Sequence, residues 1–325
     1  MKTLLFIYLS FLSLLMGCSS EKEKEFPDQL ATKKLTAERI RLDRFFNPTF
    51  FNLKNHILFI ASRNENDSLL HLFSTPSLQY IGSRGQKGYG PDEFQAYPFF
   101  CRSHSDDLYV WGYTPFEIRK IQTDSTGRFD LQAVYALTED ETFNQMSILH
   151  DSLLIYNAIP NRLEIKKYDL KNKVSLGSIR FQPDPHKESY FYSNRGTVAA
   201  HDSCILYSYI YKRRIDIYST NDLTLRKIIR WKYPRQYIDI QHPENNVKYY
   251  MNIVAKENYF YALYNGHASN ENNTDGFLEV YDYHGDPVVR YQFDITPFFF
   301  DIDEENQYIY GYNPLAEDCL LRYKI

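Results

Sequence analysis

The chain has 325 residues, with 37 Lys and Arg against 41 Asp and Glu, for a formal net charge of −4. That balance offers no basic footprint for nucleic acid, which is excluded as a partner. Tyrosine (29) and phenylalanine (23) are abundant, and the stretches between turn residues favour Ile, Val, Leu and aromatics, which suit strands. Beyond Cys18 the cysteines are Cys101, Cys204 and Cys319. Three cannot all pair internally, no two have metal-ligand spacing, and Cys204 and Cys319 fall in strand patterns as small buried hydrophobes.

Lys2 and the apolar run from Leu4 to Met16 read as a signal peptide over residues 1–17, too short to remain as a membrane-spanning helix. Leu15-Met16-Gly17-Cys18 has the form of a bacterial lipobox, which predicts removal of residues 1–17 and acylation of Cys18. Two or three acyl chains on one residue suffice for stable anchoring. Residues 18–34 open with Ser19-Ser20-Glu21-Lys22-Glu23-Lys24-Glu25, charged and poor in core formers, and predict a flexible tether. The run of serine and acid after the cysteine also resembles the surface-export signal of Bacteroidota lipoproteins. The expected location is the outer membrane, reached by export and held by lipid.

Residues 35–325 form the predicted folded domain. Glu38-Arg39-Ile40-Arg41-Leu42-Asp43 alternates polar and apolar and predicts a strand, with a short amphipathic helix over Leu35–Phe46 as the competing reading. From there a polar residue followed by four strand formers recurs, as in Asp106-Asp107-Leu-Tyr-Val-Trp111, Asp151-Ser152-Leu-Leu-Ile-Tyr156 and Asp202-Ser203-Cys-Ile-Leu-Tyr207. The runs begin at positions 56, 108, 153, 204, 259 and 308, a period of about 50. A second column, Phe73, Ile121, Tyr168, Tyr218, Tyr281 and Tyr323, closes a short strand before a turn, often one rich in Asp, Asn, Ser or Gly. These repeats predict an all-β fold, a six-bladed β-propeller of four-stranded antiparallel blades. Tyr323 lies two residues from the last, so the sixth blade lacks sequence for an outer strand. Glu38–Asp43 is expected to supply it and to close the ring as an N-terminal strand, removing an open edge.

Between the first two units lies Tyr80–Phe100, which holds Gly82, Gly85, Gly88 and Gly90, four of the chain's 13 glycines, followed by Pro91, Glu93 and Phe94. Such a run fits neither a helix nor a regular strand, and predicts a shaped crossing from one blade's outer strand to the next blade's inner strand. Gly85, Gly88, Gly90, Pro91, Glu93 and Phe94 resemble the Gly-rich signature of the TolB-like six-bladed β-propeller lipoproteins of Bacteroidota, roughly G-x-x-G-x-G-P-G-E-F. The chain departs from it by one extra residue between Gly85 and Gly88 and by Asp92 in place of a glycine. The resemblance extends through the repeats and implies the propeller architecture and lipid anchoring. It implies no reaction.

Crossings and the loops between second and third strands are expected to share one rim. That rim gathers Arg84, Lys87, Tyr113, Arg162, Arg213, Tyr312 and Asn313 as candidate ligand-binding residues around the channel mouth, Tyr and Arg being the types most enriched at binding hot spots. Glu93 is expected to cap the amides of its own turn, and Phe94 and Phe99 to pack between the first two blades. His150-Asp151-Ser152 and His201-Asp202-Ser203 suggest catalysis, but they hold equivalent positions in successive repeats and predict turns. The nine histidines lack ligand spacing, so neither a metal nor another cofactor is expected. The function expected is that of a lipid-anchored cell-envelope binding protein presenting this rim to a protein, peptide or glycan partner, with the membrane engaged through Cys18. The alternatives are a propeller hydrolase or lyase with a channel-bound metal, and a structural subunit of an outer-membrane assembly.

Overall fold

The computed structural model describes residues 23–26, 30–42, 47–63, 68–90, 93–103, 107–113, 116–123, 129–136, 143–158, 163–183, 189–233, 237–271, 275–316 and 319–325. Cys18, the leader, Pro91 and Arg162 lie outside them.

Three short strands come first: β1 (Glu23–Phe26), β2 (Thr32–Leu35) and β3 (Glu38–Ile40). A four-stranded antiparallel sheet follows, with β4 (Pro48–Lys54), β5 (Ile57–Ser62), β6 (Leu70–Ser74) and β7 (Tyr80–Arg84) in chain order. β8 (Gln86–Lys87) and β9 (Glu93–Phe94) pair in parallel within the glycine-rich crossing. Two further four-strand runs are β10 (Phe99–Ser103), β11 (Leu108–Tyr113), β12 (Phe116–Thr123) and β13 (Phe129–Ala136), then β14 (Phe143–Leu149), β15 (Leu153–Ala158), β16 (Glu164–Asp169) and β17 (Val174–Arg180). After a five-residue helix, α1 (Tyr190–Asn194), come β18 (Gly196–His201), β19 (Cys204–Tyr209), β20 (Arg214–Ser219) and β21 (Leu225–Trp231). Next are β22 (Val247–Ala255), β23 (Phe260–Ala268), β24 (Phe277–Tyr281) and β25 (Pro287–Phe293), and last β26 (Phe299–Asp303), β27 (Tyr308–Tyr312) and β28 (Leu320–Lys324).

The molecule is thus all-β, but its sheets do not divide as evenly as the repeats predict. β10 and β14 pair in parallel at Arg102 with Ser147 and Ser103 with Ile148, which merges two predicted units into one eight-stranded sheet. The merger arises where first strands converge. Strands such as β19, with every residue buried, read as continuous apolar runs because both of their faces are covered.

Apolar clusters join each four-strand run to the next. Phe94, Val110 and Ile121 pack against Phe59 and Leu72, while Trp111 and Ile118 pack against Met146 and Tyr156. Ile155 and Ile165 meet Ile205 and Tyr207, and Trp231 meets Tyr250 and Phe260. Leu263 and Val280 meet Ile302 and Ile309. The last cluster, with Tyr310, Tyr312 and Leu320 against Phe51 and Leu58, returns from the final run to the first.

The strand ends fall into two sets. Tight turns between first and second strands lie together. Asn55, His56, His150, Asp151 and Asp202 hold positive φ there, which places the two His-Asp-Ser triplets in turns. Lys54 Nζ reaches Ser103 Oγ at 2.8 Å and Lys256 Nζ reaches the Leu53 carbonyl at 3.2 Å, so residues at or just beyond the ends of first strands from different runs meet at this turn end. The other end carries the crossings and the loops between second and third strands. Asn313 Nδ2 donates to the Thr296 carbonyl there, and Ser269 N–H to that of Glu244.

The N-terminal segment corrects one expectation. Glu38–Ile40 is a strand, antiparallel to β28. Upstream of it, inside the stretch read as a flexible tether over 18–34, β1 pairs in parallel with β21 and β2 in parallel with β25. Composition misses these strands because edge pairing draws on backbone groups that charged side chains leave free. Phe26 and Leu35 then supply the burial. Phe26 is buried 5.2 Å from the Trp231 ring, and its carbonyl accepts the Lys232 N–H at 3.3 Å.

Phe26→Ala should therefore lower unfolding stability by about 3 kcal/mol in urea titrations, as for other buried phenylalanines. Glu25→Ala, exposed on the same strand, should stay within about 0.5 kcal/mol of the parent. Equal stability of the two variants would detach β1 from the core.

Candidate functional site

The glycine-rich crossing is built around Phe94 and Glu93. β7 runs into Gly85 at φ 72°, where an added Cβ would lie 2.9 Å from Phe94 Cε2, so glycine serves both the backbone and the packing. Phe94 is buried between β4–β7 and β10–β13, with the Arg119 guanidinium 4.7 Å over its ring. Arg119 also donates to the Glu93 carbonyl at 2.8 Å and pairs with Glu117. The Glu93 carboxylate turns back on its own loop: Oε2 accepts the Gly90 N–H at 2.6 Å, and an added Cβ on Gly88 would lie 2.1 Å from it. The expected capping role of Glu93 and the packing of Phe94 are both present. The signature residues described here, Gly85, Gly88, Gly90, Glu93 and Phe94, shape the crossing.

What they shape is a cleft of about 250 Å³ lined by Ser68, Ser83, Arg84, Gly85, Gln86 and Glu93. Ser83 Oγ donates to Ser68 Oγ at 3.0 Å. Arg84 is half-buried in the wall and Lys87 stands exposed just beyond it. Hydroxyls, an amide, a guanidinium and the Glu93 carboxylate suit recognition of a polar group by hydrogen bonds.

The other expected rim residues are placed differently. Arg213 is buried, 3.3 Å from Glu279 Oε1 and sandwiched between the rings of Trp231 (5.0 Å) and Tyr264 (4.6 Å). Glu279, itself fully buried, also lies 3.7 Å from Arg290 and accepts the hydroxyls of Tyr250 (2.9 Å) and Tyr281 (2.6 Å). Burial, reinforced by the Glu279 charge, pushes both hydroxyls well above the ordinary tyrosine range, so they remain donors. Tyr312 is buried in the last apolar cluster. Asn313 is buried and closes its own turn, donating to Thr296 at 2.6 Å and accepting the Leu315 N–H at 2.8 Å. Tyr113 ends β11, and only its backbone is described. Of the seven, Arg84 lines the cleft, with Lys87 exposed beside it. Arg213, Tyr312 and Asn313 are withdrawn from the surface, because a loop that bends back over a sheet end uses its arginine, tyrosine and asparagine to satisfy buried partners first.

Sequence reading missed the charged centre of the turn end. Asp301 is fully buried, and its carboxylate accepts the Leu53 N–H (2.6 Å) and meets Lys256 Nζ (2.8 Å) and Arg102 Nη1 (3.2 Å). Burial pushes this carboxyl up, but the two cations and the hydrogen bonds outweigh it and hold the group below the usual carboxylate range. The signal was an acid inside the apolar run Phe299-Phe300-Asp301-Ile302. A second missed signal is the i, i+2 charge pair on third strands: Glu117-Ile-Arg119, Glu164-Ile-Lys166 and Arg214-Ile-Asp216 each place opposite charges on one strand face. Among the described residues no group of three or more His, Cys, Asp or Glu side chains is placed to hold a metal ion.

No protein-family model and no curated protein matches the chain. Among solved structures it is similar to a candidate exported protein of Bacteroides fragilis NCTC 9343, at 12% identity and a TM-score of 0.56, over 93% of this chain and 98% of that one. At that identity the likeness shows a shared β-rich fold alone. A chain of the mitotic checkpoint complex matches at 8% identity and a TM-score of 0.49, over 87% of this chain and 76% of that one.

The Asp301 geometry sets an expectation for acid. A carboxyl held low in the folded state contributes stability above its unfolded value of about 3.9, and that contribution fades as pH falls through the lower folded value. Asp301→Asn should cost about 3 kcal/mol at neutral pH, since it leaves Lys256 and Arg102 facing a neutral group. It should also flatten the loss of stability below about pH 4. Parallel pH profiles for parent and variant in urea titrations would remove Asp301 as the acid-sensitive group.

Proposed function

We propose that this chain is a lipid-anchored binding protein of the cell envelope, built as a six-bladed β-propeller of the TolB-like type. Its crossing end receives a protein, peptide or glycan partner at the cleft around Arg84. The cyclic order of the apolar clusters supports the ring, since the sixth cluster returns from β26–β28 to β4–β7, and β3 adds the outer strand to the last sheet. The lipobox at Cys18 supports the anchor. The likeness to a candidate exported protein of Bacteroides fragilis accords with an envelope location.

The observation that carries the binding reading is the cleft itself. Its wall is fixed by the buried Phe94 and Arg119 and by the Glu93 carboxylate, so its polar groups are held in place before a ligand arrives. Preorganisation of this kind lowers the entropic cost of association.

Metabolic labelling with a fatty acid should mark the parent chain and leave Cys18→Ala unlabelled and released from membranes. A labelled, membrane-bound Cys18→Ala would sink the anchor.

With the anchored chain as bait in native membranes, a stoichiometric partner should be recovered. Arg84→Ala and Gln86→Ala should each weaken its affinity by about 1 kcal/mol or more at unchanged melting temperature. Arg213→Ala, which strips a cation from the buried Glu279, should instead lower stability. Unchanged affinity in both cleft variants, with loss from substitutions at the turn end, would move the site to the opposite side.

A further inference from the structure

The direction of β1 fixes more than the stability of an edge. β21 starts after the turn at Thr220–Thr224, at the turn end, and runs to Trp231, from which the chain enters the crossing toward β22. β1 is parallel to it, with Glu23 opposite Ile228 and Phe26 opposite Trp231. The chain therefore arrives from the side of the turn end and travels toward the crossing end.

Cys18 precedes Glu23 by five residues, which span at most about 18 Å. Measured from Glu23 along the line of β1, that reach extends past the level of Leu225 and beyond the turn end. A reversal spends at least about two residues on a turn, and the remaining three cover roughly 10 Å. That distance reaches the level of Trp231, with the crossing loops still above it.

The distribution of exposed apolar side chains gives this direction a consequence. Among the described residues, the large hydrophobics exposed by half or more are Tyr89, Tyr237, Ile240, Phe298 and Leu315. All five sit in crossings or in loops between second and third strands, on the crossing end. The turn end shows His56 and Glu305, Asn221 and Asp222, and His284, with Val174, Val288 and Tyr259 among its large hydrophobics, each less than half exposed. Read without the anchor, the apolar rim would be the natural surface to dip into a bilayer.

We propose the opposite orientation: the bilayer lies against the turn end and the β1–β21 edge, and the rim of Tyr89, Tyr237, Ile240, Phe298 and Leu315 faces away from the membrane. This rests on the lipid-anchor reading of Cys18. It makes the lipid surface the occupant of the polar end, because five residues of chain hold that end down. It also leaves the Arg84 cleft, which opens on the crossing end, facing the aqueous phase.

The test uses the chain from Cys18 onward, which retains every described residue, with the Cys18 thiol coupled to a maleimide phospholipid. Cys101, Cys204 and Cys319 are buried, and burial pushes the Cys204 thiol up to about 12, which keeps them out of the coupling. Asn221→Trp at the turn end and Tyr237→Trp at the crossing end are compared for energy transfer to dansyl-headgroup lipid in vesicles. The parent, with Trp111 and Trp231 buried, gives the background. Transfer above background should be at least about two-fold stronger for Asn221→Trp, the two sites being separated by roughly 20 Å, the length of β21. Equal or stronger transfer from Tyr237→Trp overturns the orientation. Fatty-acid labelling of the full chain in a bacterial host is read separately. A chain that takes no fatty acid removes the anchor and this proposal with it, whereas a labelled chain with stronger transfer at position 237 overturns the orientation alone.

Discussion

One buried carboxylate ties the strand ends together. The apolar clusters each join one four-strand run to its neighbour, and apolar contact is non-directional. It fixes how close two sheets lie and leaves their relative rotation loosely determined. Asp301 supplies direction, since its partners come from β4, from β10 and from the residue that follows β22. A buried ion pair adds little net stability over an apolar replacement, and its contribution here is to select one arrangement of first strands. Lys54 and Lys256 extend the same device, Lys54 donating to the Asp107 carbonyl of the next run and Lys256 to the Leu53 carbonyl across the run of β26–β28.

The two ends of the molecule divide the work. The turn end is made of short reversals whose residues hold positive φ, and its polar groups are spent on holding strands in register. The crossing end carries the long connections, and there the chain has residues to spare for shaping a surface. The glycine-rich crossing shows how. Phe94 and Arg119 lock its base into the core, Glu93 closes its loop, and Ser83, Arg84 and Gln86 are left around the opening. Rigid support with an open polar wall is the arrangement expected of a binding surface on a stable scaffold.

The fold was legible where local pattern decides it. The repeated polar-then-apolar runs mark the second strands, the His-Asp-Ser triplets mark turns, and the alternation at Glu38–Asp43 marks the strand that pairs with β28. The β1 and β2 strands were not legible, because a parallel edge strand needs only backbone groups and a single plug such as Phe26. The candidate site was legible in its framework and poorly in its members. Gly85, Glu93 and Phe94 announce a shaped loop, and Arg84 and Lys87 follow from adjacency. Arg213, Tyr312 and Asn313 were misplaced because residue type alone does not distinguish an arginine that greets a ligand from one sandwiched between Trp231 and Tyr264 over a buried glutamate. The pairing of Arg213 with Glu279 spans two separate sheets, and nothing in either local sequence records it.

The strands that come first in the chain find their partners last. Glu23 pairs with Ile228, Thr32 with Arg290, and Arg39 with Leu321. Closing loops of that length costs conformational entropy before any contact offsets it, which places these pairings among the slow steps of folding. Until β21, β25 and β28 exist, β1, β2 and β3 respectively have no native partner. A growing chain therefore cannot complete these edges, and the backbone groups of β1, β2 and β3 stay open to whatever else is present. Such a chain has reason to leave these pairings until all three partner strands have formed. The N-terminal segment then acts as a seal applied at the end of folding, confirming that every sheet it touches is already in place.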